Sequence, residues 1–213
     1  MSKPSINLPS GWGMRQLGEF ASLKKGITYA STQYCGPDQG AAFLTIKSVK
    51  KNGGYKREGL KFYSGPISEH QALLPGDLLI ANTDLTRAGD IVGCPVVVPD
   101  LRRATTMSMD LSKMVVHASK VDSKFLAQAL MLDEVRTFMR DNASGSTVLH
   151  LKTSAVPKLW MPIPDSIDEQ RGIAAVLSAL DEQIELTEAL VAKLRLQKQG
   201  LMRDLLIGKV RIN

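Results

Sequence analysis

The pattern of apolar and polar positions changes character near residue 165. Before that point, apolar residues come in short runs broken by Pro, Gly and Asp, as in strands joined by turns. Beyond it they recur at alternating steps of four and three: Ile173, Leu177, Leu180, Ile184, Thr187, Val191, Leu194, Lys198, Leu201 and Leu205. Only Thr187 and Lys198 interrupt the apolar row. A strict 3.5-residue period predicts a coiled-coil helix, because a helix lying on a globular core carries a broader stripe. A helix over residues 165–207 would be roughly 60 Å long at about 1.5 Å per residue. A single copy leaves this seam in water, whereas burying a Leu or Ile side chain is worth roughly 1.5–3 kcal/mol. The seam therefore calls for a second helix, and the chain offers no other long helix with a matching one. The partner is another copy of this chain or a different protein.

Charge suggests how the partner runs. Asp181, Glu182, Glu185 and Glu188 lie in the N-terminal half of the helix, and Lys193, Arg195, Lys198 and Arg203 in the C-terminal half. A parallel pair would set like against like, while an antiparallel pair sets each acidic half against a basic one. The expectation is an antiparallel homodimer with its two-fold axis near residues 190–191. The same distribution also suits a lone helix, whose dipole favours acids early and bases late.

Residues 1–164 read as a mixed α/β domain. Pro4, Pro9 and Gly11 make residues 1–16 an extended lead-in, anchored by Trp12 and Leu17. Strands are predicted at 43–49, 78–81, 91–98, 111–117 and 159–163, with a Pro-Gly-Asp turn at 75–77. Asp122 can cap one helix running to about Asn142, whose broad apolar face includes Phe125, Leu126, Ala129, Leu130, Val135, Phe138 and Met139. Residues 143–147 form a loop. Asp165 or Ser166 would start the long helix, Gly208 would end it in a left-handed cap, and residues 208–213 form a tail.

With 44% hydrophobic residues the chain has enough for a core. No apolar run approaches the roughly 20 residues needed to cross a bilayer, and no signal-like stretch follows the N-terminus. Cys35 and Cys94 show no disulfide or zinc spacing, so a cytoplasmic protein with reduced, inert thiols is expected. The net charge of +6 permits nucleic-acid binding without requiring it. Its distribution is more pointed. Lys47, Lys50, Lys51, Lys56 and Arg57 cluster around Gly53 and Gly54, which makes a flexible basic turn. Arg102 and Arg103 precede Thr105, and Arg87 follows a run of small polar residues. Thr147 and Lys152 flank the loop after the predicted helix. Cations beside glycines and hydroxyls suit phosphates and base edges, and they equally suit a solvated loop.

Several segments together resemble a known family. They are Leu8-Pro9-Ser10-Gly11-Trp12 with Leu17-Gly18-Glu19, the turn Leu74-Pro75-Gly76-Asp77-Leu78-Leu79, and Gly145-Ser146-Thr147 with Leu149 and Leu151. Pro162-Ile163-Pro164, Glu169-Gln170 leading into Ile173-Ala174 and Leu180-Asp181, and the ending Leu205-Leu206-Ile207-Gly208-Lys209-Val210 complete the set. Their order and spacing are similar to one repeat of a specificity (S) subunit of type I restriction-modification systems. The usual subunit has two repeats, so this chain resembles a half-size form with one target recognition domain. The resemblance implies a spacer helix and recognition of a bipartite double-stranded DNA target. It also implies DNA adenine methyltransferase (M) subunits that carry S-adenosylmethionine, and a restriction/translocase (R) subunit. Two half subunits paired through antiparallel helices would rebuild the two-domain arrangement and read an inverted repeat. The family does not fix the recognition residues.

Catalysis by the chain itself is not expected. There is no Asp/Asn-Pro-Pro-Tyr/Phe motif, glycine-rich cofactor loop or phosphate loop, and His70, His117 and His150 lack metal-ligand spacing. Asp77 and Asp84 flank a strand in the manner of a nuclease carboxylate pair, but Asp77 reads as a turn residue. The rival to DNA recognition is a coiled-coil adaptor, or an inactive remnant, that binds protein partners without DNA.

Overall fold

The computed structural model describes residues 7–212. The fold is a mixed α/β globular domain of several small sheets, followed by one long C-terminal helix. The chain divides into two compact units, the first ending at Arg171 and the second beginning at Gly172.

In the first unit, β1 (Trp12–Gln16) pairs antiparallel with β13 (Trp160–Pro164), so the lead-in is a strand. A second sheet has the order β2 (Ala21–Lys25), β10 (Leu111–Val116), β6 (Leu78–Ala81), β8 (Pro95–Val97), all antiparallel. A third has the order β4 (Lys61–Tyr63), β3 (Ala41–Leu44), β9 (Thr105–Met107), β5 (Ala72–Leu73), with β3 and β9 parallel. The last joins β11 (Ala143–Ser144), β12 (Leu149–Leu151) and β7 (Thr83–Asp84). Every residue of β3 and β6 is buried, which explains their unbroken apolar runs. Leu44 and Met107 from one sheet meet Leu79, Ala81, Val96 and Leu111 from another in the main core. Phe43 stacks on Tyr63 with ring centroids 4.9 Å apart, at the centre of a smaller aromatic cluster with Tyr29 and Tyr34.

The single helix expected from Asp122 to Asn142 is two: α1 (Ser123–Ala129) and α2 (Asp133–Asp141). Asp122 does cap the first, accepting from the N–H groups of Lys124 and Phe125. The break follows from a slip in phase. Continuing the period of Leu126 and Leu130 would bring Asp133 and Thr137 inward, whereas Val135, Phe138 and Met139 are the buried residues. The strand expected over 43–49 ends at Leu44, because a short 3-10 turn (Ile46–Ser48) follows under a Thr45 cap. Asp77 is a turn residue, accepting from Leu74 N–H at 2.7 Å and pairing with Lys113 at 2.6 Å.

The long helix, α3 (Ile167–Leu206), has 40 residues and is therefore about 60 Å long. Ser166 Oγ accepts from Glu169 N–H, which makes Ser166 the cap. The first turn is tied into the first unit by Gln170, which is fully buried. Its Oε1 accepts from Asp122 N–H at 2.8 Å, and its Nε2 donates to Pro164 O at 2.8 Å. Trp12 Nε1 donates to Glu169 in the same turn. At the far end Gly208 takes φ +72°, the left-handed conformation that closes a helix. No helix among the described residues is long and apolar enough to cross a membrane.

Candidate nucleic-acid interface

The basic turn is shaped by its glycines. Gly53 and Gly54 both have positive φ, and Lys50 N–H bonds to Gly54 O across a bridge between Val49 and Tyr55. The turn docks on residues 90–95. Gly54 N–H donates to Pro95 O, Lys51 Nζ pairs with Asp90 at 2.7 Å, and Cys94 Sγ lies 3.3 Å from Lys51 O. The Asp90 carboxylate raises the Lys51 pKa through that bond. Lys51 is thus already paired, while Lys56 and Arg57 are exposed on the return limb and Lys50 is half-buried.

Residues 84–92 form a loop held from two sides. The Asp84 carboxylate is buried. One oxygen accepts from the N–H and hydroxyl of Thr86 at 2.7 and 2.8 Å, and the other from the N–H groups of Ile91 and Val92. Burial alone would raise the Asp84 pKa, but these four bonds outweigh it and hold the carboxyl below its usual range. From α2, the buried Arg136 donates to Val92 O at 2.6 Å and Asp90 O at 3.1 Å. Burial pushes its pKa down, yet an arginine stays charged. At the tip, Leu85 and Arg87 are exposed, and Arg87 pairs with no other described residue.

The third loop is the hairpin between β11 and β12. Gly145 has φ +139°, and a Cβ there would lie 1.9 Å from Val148 O, so only glycine fits. Ser146 and Thr147 are exposed at its tip. Because β12 pairs with β7 at Thr83 and Asp84, this hairpin stands beside the start of the 84–92 loop. Lys152 is exposed where its N–H bonds back to Asn142 at the end of α2. Three loops therefore converge, bringing Lys50, Lys51, Arg87 and Thr147 into one region.

Arg102, Arg103 and Thr105 do not join them. They sit where β9 begins, while Lys47 follows the end of β3, which is parallel to β9. Four residues of strand, roughly 13 Å at about 3.3 Å per residue, separate the two ends. Arg103 donates to Gly40 O at 2.6 Å and lies over the Phe62 ring, 4.9 Å from its centroid. Thr105 is buried and its hydroxyl donates to Arg103 O. Arg102 is exposed, its N–H capped by Asp100. Lys47 is exposed on the rim of a cleft of about 620 Å³, shared with Lys61, Tyr29 and Tyr34. One cation escaped the sequence reading: Arg140, exposed in the last turn of α2, packs its stem against Gly89 of the loop. Only the absence of a Cβ at Gly89 allows that approach, which no local pattern announces.

The second unit carries the seam. Leu180, Ile184, Leu194 and Leu201 are each more than half exposed, between 51% and 61%, and Thr187, Val191 and Lys198 are exposed with them. Leu177 is 38% exposed, and Ile173 and Leu205 are half-buried. Glu188 and Arg195 border the groove along Ile184, Thr187 and Val191. No group of His, Cys, Asp or Glu among the described residues is placed to hold a metal ion.

This arrangement of small sheets followed by a long helix agrees with a comparison to known proteins. The profile of the type I restriction modification DNA specificity domain matches residues 9–196. The chain belongs to that family. It is therefore a specificity component and not a catalytic subunit. The specificity domain is 23% identical over 217 residues to the specificity subunit of the type I restriction enzyme MjaVIII from Methanocaldococcus jannaschii, covering 96% of this chain and 48% of the relative. The solved S subunit of a type I restriction-modification system from M. genitalium superposes with a TM-score of 0.62 at 17% identity, over 95% of this chain and 47% of that one. A chain from work on complex assembly and conformational transition of the type I R-M system gives a TM-score of 0.64 at 20% identity, over 94% and 46%. The specificity domain thus spans about half the length of these relatives and shares their fold.

Proposed function

We propose that this specificity domain reads double-stranded DNA through the face where the basic turn, the 84–92 loop and the 145–148 hairpin converge. The observation that carries this is the anchoring of three loops, with Lys50, Lys56, Arg57, Arg87 and Arg140 on or beside them, to one braced backbone segment. Lysines and arginines on the turn hold phosphates and fix register, while the neighbouring tip meets base edges. Lys47 and Lys152 extend the positive border, and Arg102 lies apart from it. Two copies pair antiparallel through the α3 seam, each acidic half against a basic half. A two-fold pair of identical domains then reads an inverted repeat with an unspecific spacer. The pair docks methyltransferase subunits, which hold S-adenosylmethionine and modify adenine, and the restriction/translocase subunit joins that assembly.

The test replaces Lys50, Lys56 and Arg57 by Ala and measures duplex binding between 50 and 200 mM salt. Loss of phosphate contacts weakens binding for all sequences and lowers the salt slope by roughly 0.9 per contact. An unchanged affinity and slope would remove the turn from the interface. Sedimentation at low micromolar concentration tests the pairing, and a monomer there would end it.

A further inference from the structure

We infer that residues 85–88 form the base-reading tip of the domain, with Arg87 donating to a guanine edge and Leu85 lying against a thymine methyl in the major groove. This rests on the proposed reading of duplex DNA and assigns its sequence-determining residues.

The tip is held through main-chain N–H and carbonyl groups and through the Thr86 hydroxyl, which donates to Asp84 and accepts from Asp90 N–H. Asp84 gathers Thr86 N–H at one end of the loop and Ile91 and Val92 N–H at the other. Arg136 gathers the carbonyls of Asp90 and Val92. Both charged groups are buried, so water does not compete for these bonds. The side chains of Leu85 and Arg87 have no part in that support. Leu85 is 62% exposed, and Arg87 has no partner among the described residues. The other cations nearby are differently placed. Lys51 is neutralised by Asp90, and Arg140 donates to Thr137. Arg87 thus carries a guanidinium with no partner among the described residues on a braced loop, whereas Arg57, also exposed, lies on the return limb of the basic turn.

Discrimination between bases needs that combination. A bidentate arginine matches guanine O6 and N7 in the major groove, and an apolar side chain matches the thymine methyl. Because folding has already ordered the loop, binding orders little beyond two side chains. A flexible cation would gain affinity from phosphates without telling sequences apart.

The experiment selects from a randomised duplex pool with the full chain, alone and with a type I methyltransferase subunit from its own host. Wild type, R87K, R87A and L85A are compared after thermal melting shows each folded. In R87K the charge stays but the fork is lost. The expected result is a drop of about tenfold in preference for one guanine in each half-site, with the salt slope unchanged. R87A relaxes the same position, and L85A relaxes a neighbouring thymine. If R87K and R87A leave the selected motif intact and merely weaken all sequences alike, Arg87 is a phosphate contact and the assignment is overturned. If wild type selects no motif in either arm, the reading of DNA itself fails, and this assignment with it.

Discussion

Replacing Asp84 by Asn changes one oxygen of a buried carboxylate into an amide that donates. Oδ1 can still serve Thr86. The new amide then faces the N–H groups of Ile91 and Val92, which lose their acceptor. A buried donor left unsatisfied costs about 1–3 kcal/mol. Two of them, with some relaxation of the loop, come to about 2–5 kcal/mol. The buried Arg136 also loses a nearby negative charge that raises its pKa. For a chain of this size each kcal/mol moves Tm by about 2–4 °C, so D84N should melt roughly 5–15 °C lower. Calorimetry reads the global effect. Amide exchange reads the local one, and the Ile91 and Val92 amides should lose protection before the β6 amides do. A Tm within about 2 °C of wild type, with protection at Ile91 and Val92 unchanged, would refute the view that Asp84 organises this loop.

Acid should act through the same carboxyl. Its folded pKa lies below the unfolded value, so its stabilising contribution is complete above the unfolded value and is lost as pH falls through the folded one; acid titration of stability should be shallower in D84N than in wild type. Burial raises the Cys94 thiol pKa and Cys35 is half-buried, so a thiol reagent at pH 8 should label Cys35 in the native chain, and both cysteines only in denaturant. Gly145→Ala places a methyl against Val148 O and should cost about 1–3 kcal/mol, seen as a lower denaturant midpoint; an unchanged midpoint would mean the hairpin rearranges freely. Ile184→Lys sets a charge in the seam and should shift sedimentation from dimer to monomer while leaving the melting of the first unit in place.

The long helix was legible because its period is a property of the chain alone. The caps at Asp122 and Ser166 and the terminating Gly208 were legible for the same reason. Strands β6 and β10 announced themselves by apolar and β-branched runs. The two-residue strands β5, β7 and β11 did not, since their pairing depends on partners far along the chain. The break between α1 and α2 was visible in principle, as a phase slip around Asp133, but a summed count of apolar residues hides it. Among candidate contacts, clustering in sequence located the basic turn. Sequence did not reveal that Thr105 is buried, that Lys51 is paired with Asp90, or that Arg140 leans on Gly89. Those facts arise from distant segments packing together, and a single sequence does not carry them.

A loop pinned by Asp84, Thr86 and Arg136 leaves the side chains at 85, 87 and 88 outside its support. If the tip reads bases as proposed, substitutions at 85, 87 and 88 alter what it prefers without touching Asp84 or Arg136, so the scaffold need not be reinvented each time. Under that reading, such separation lets new preferences arise by a few exchanges in a handful of codons.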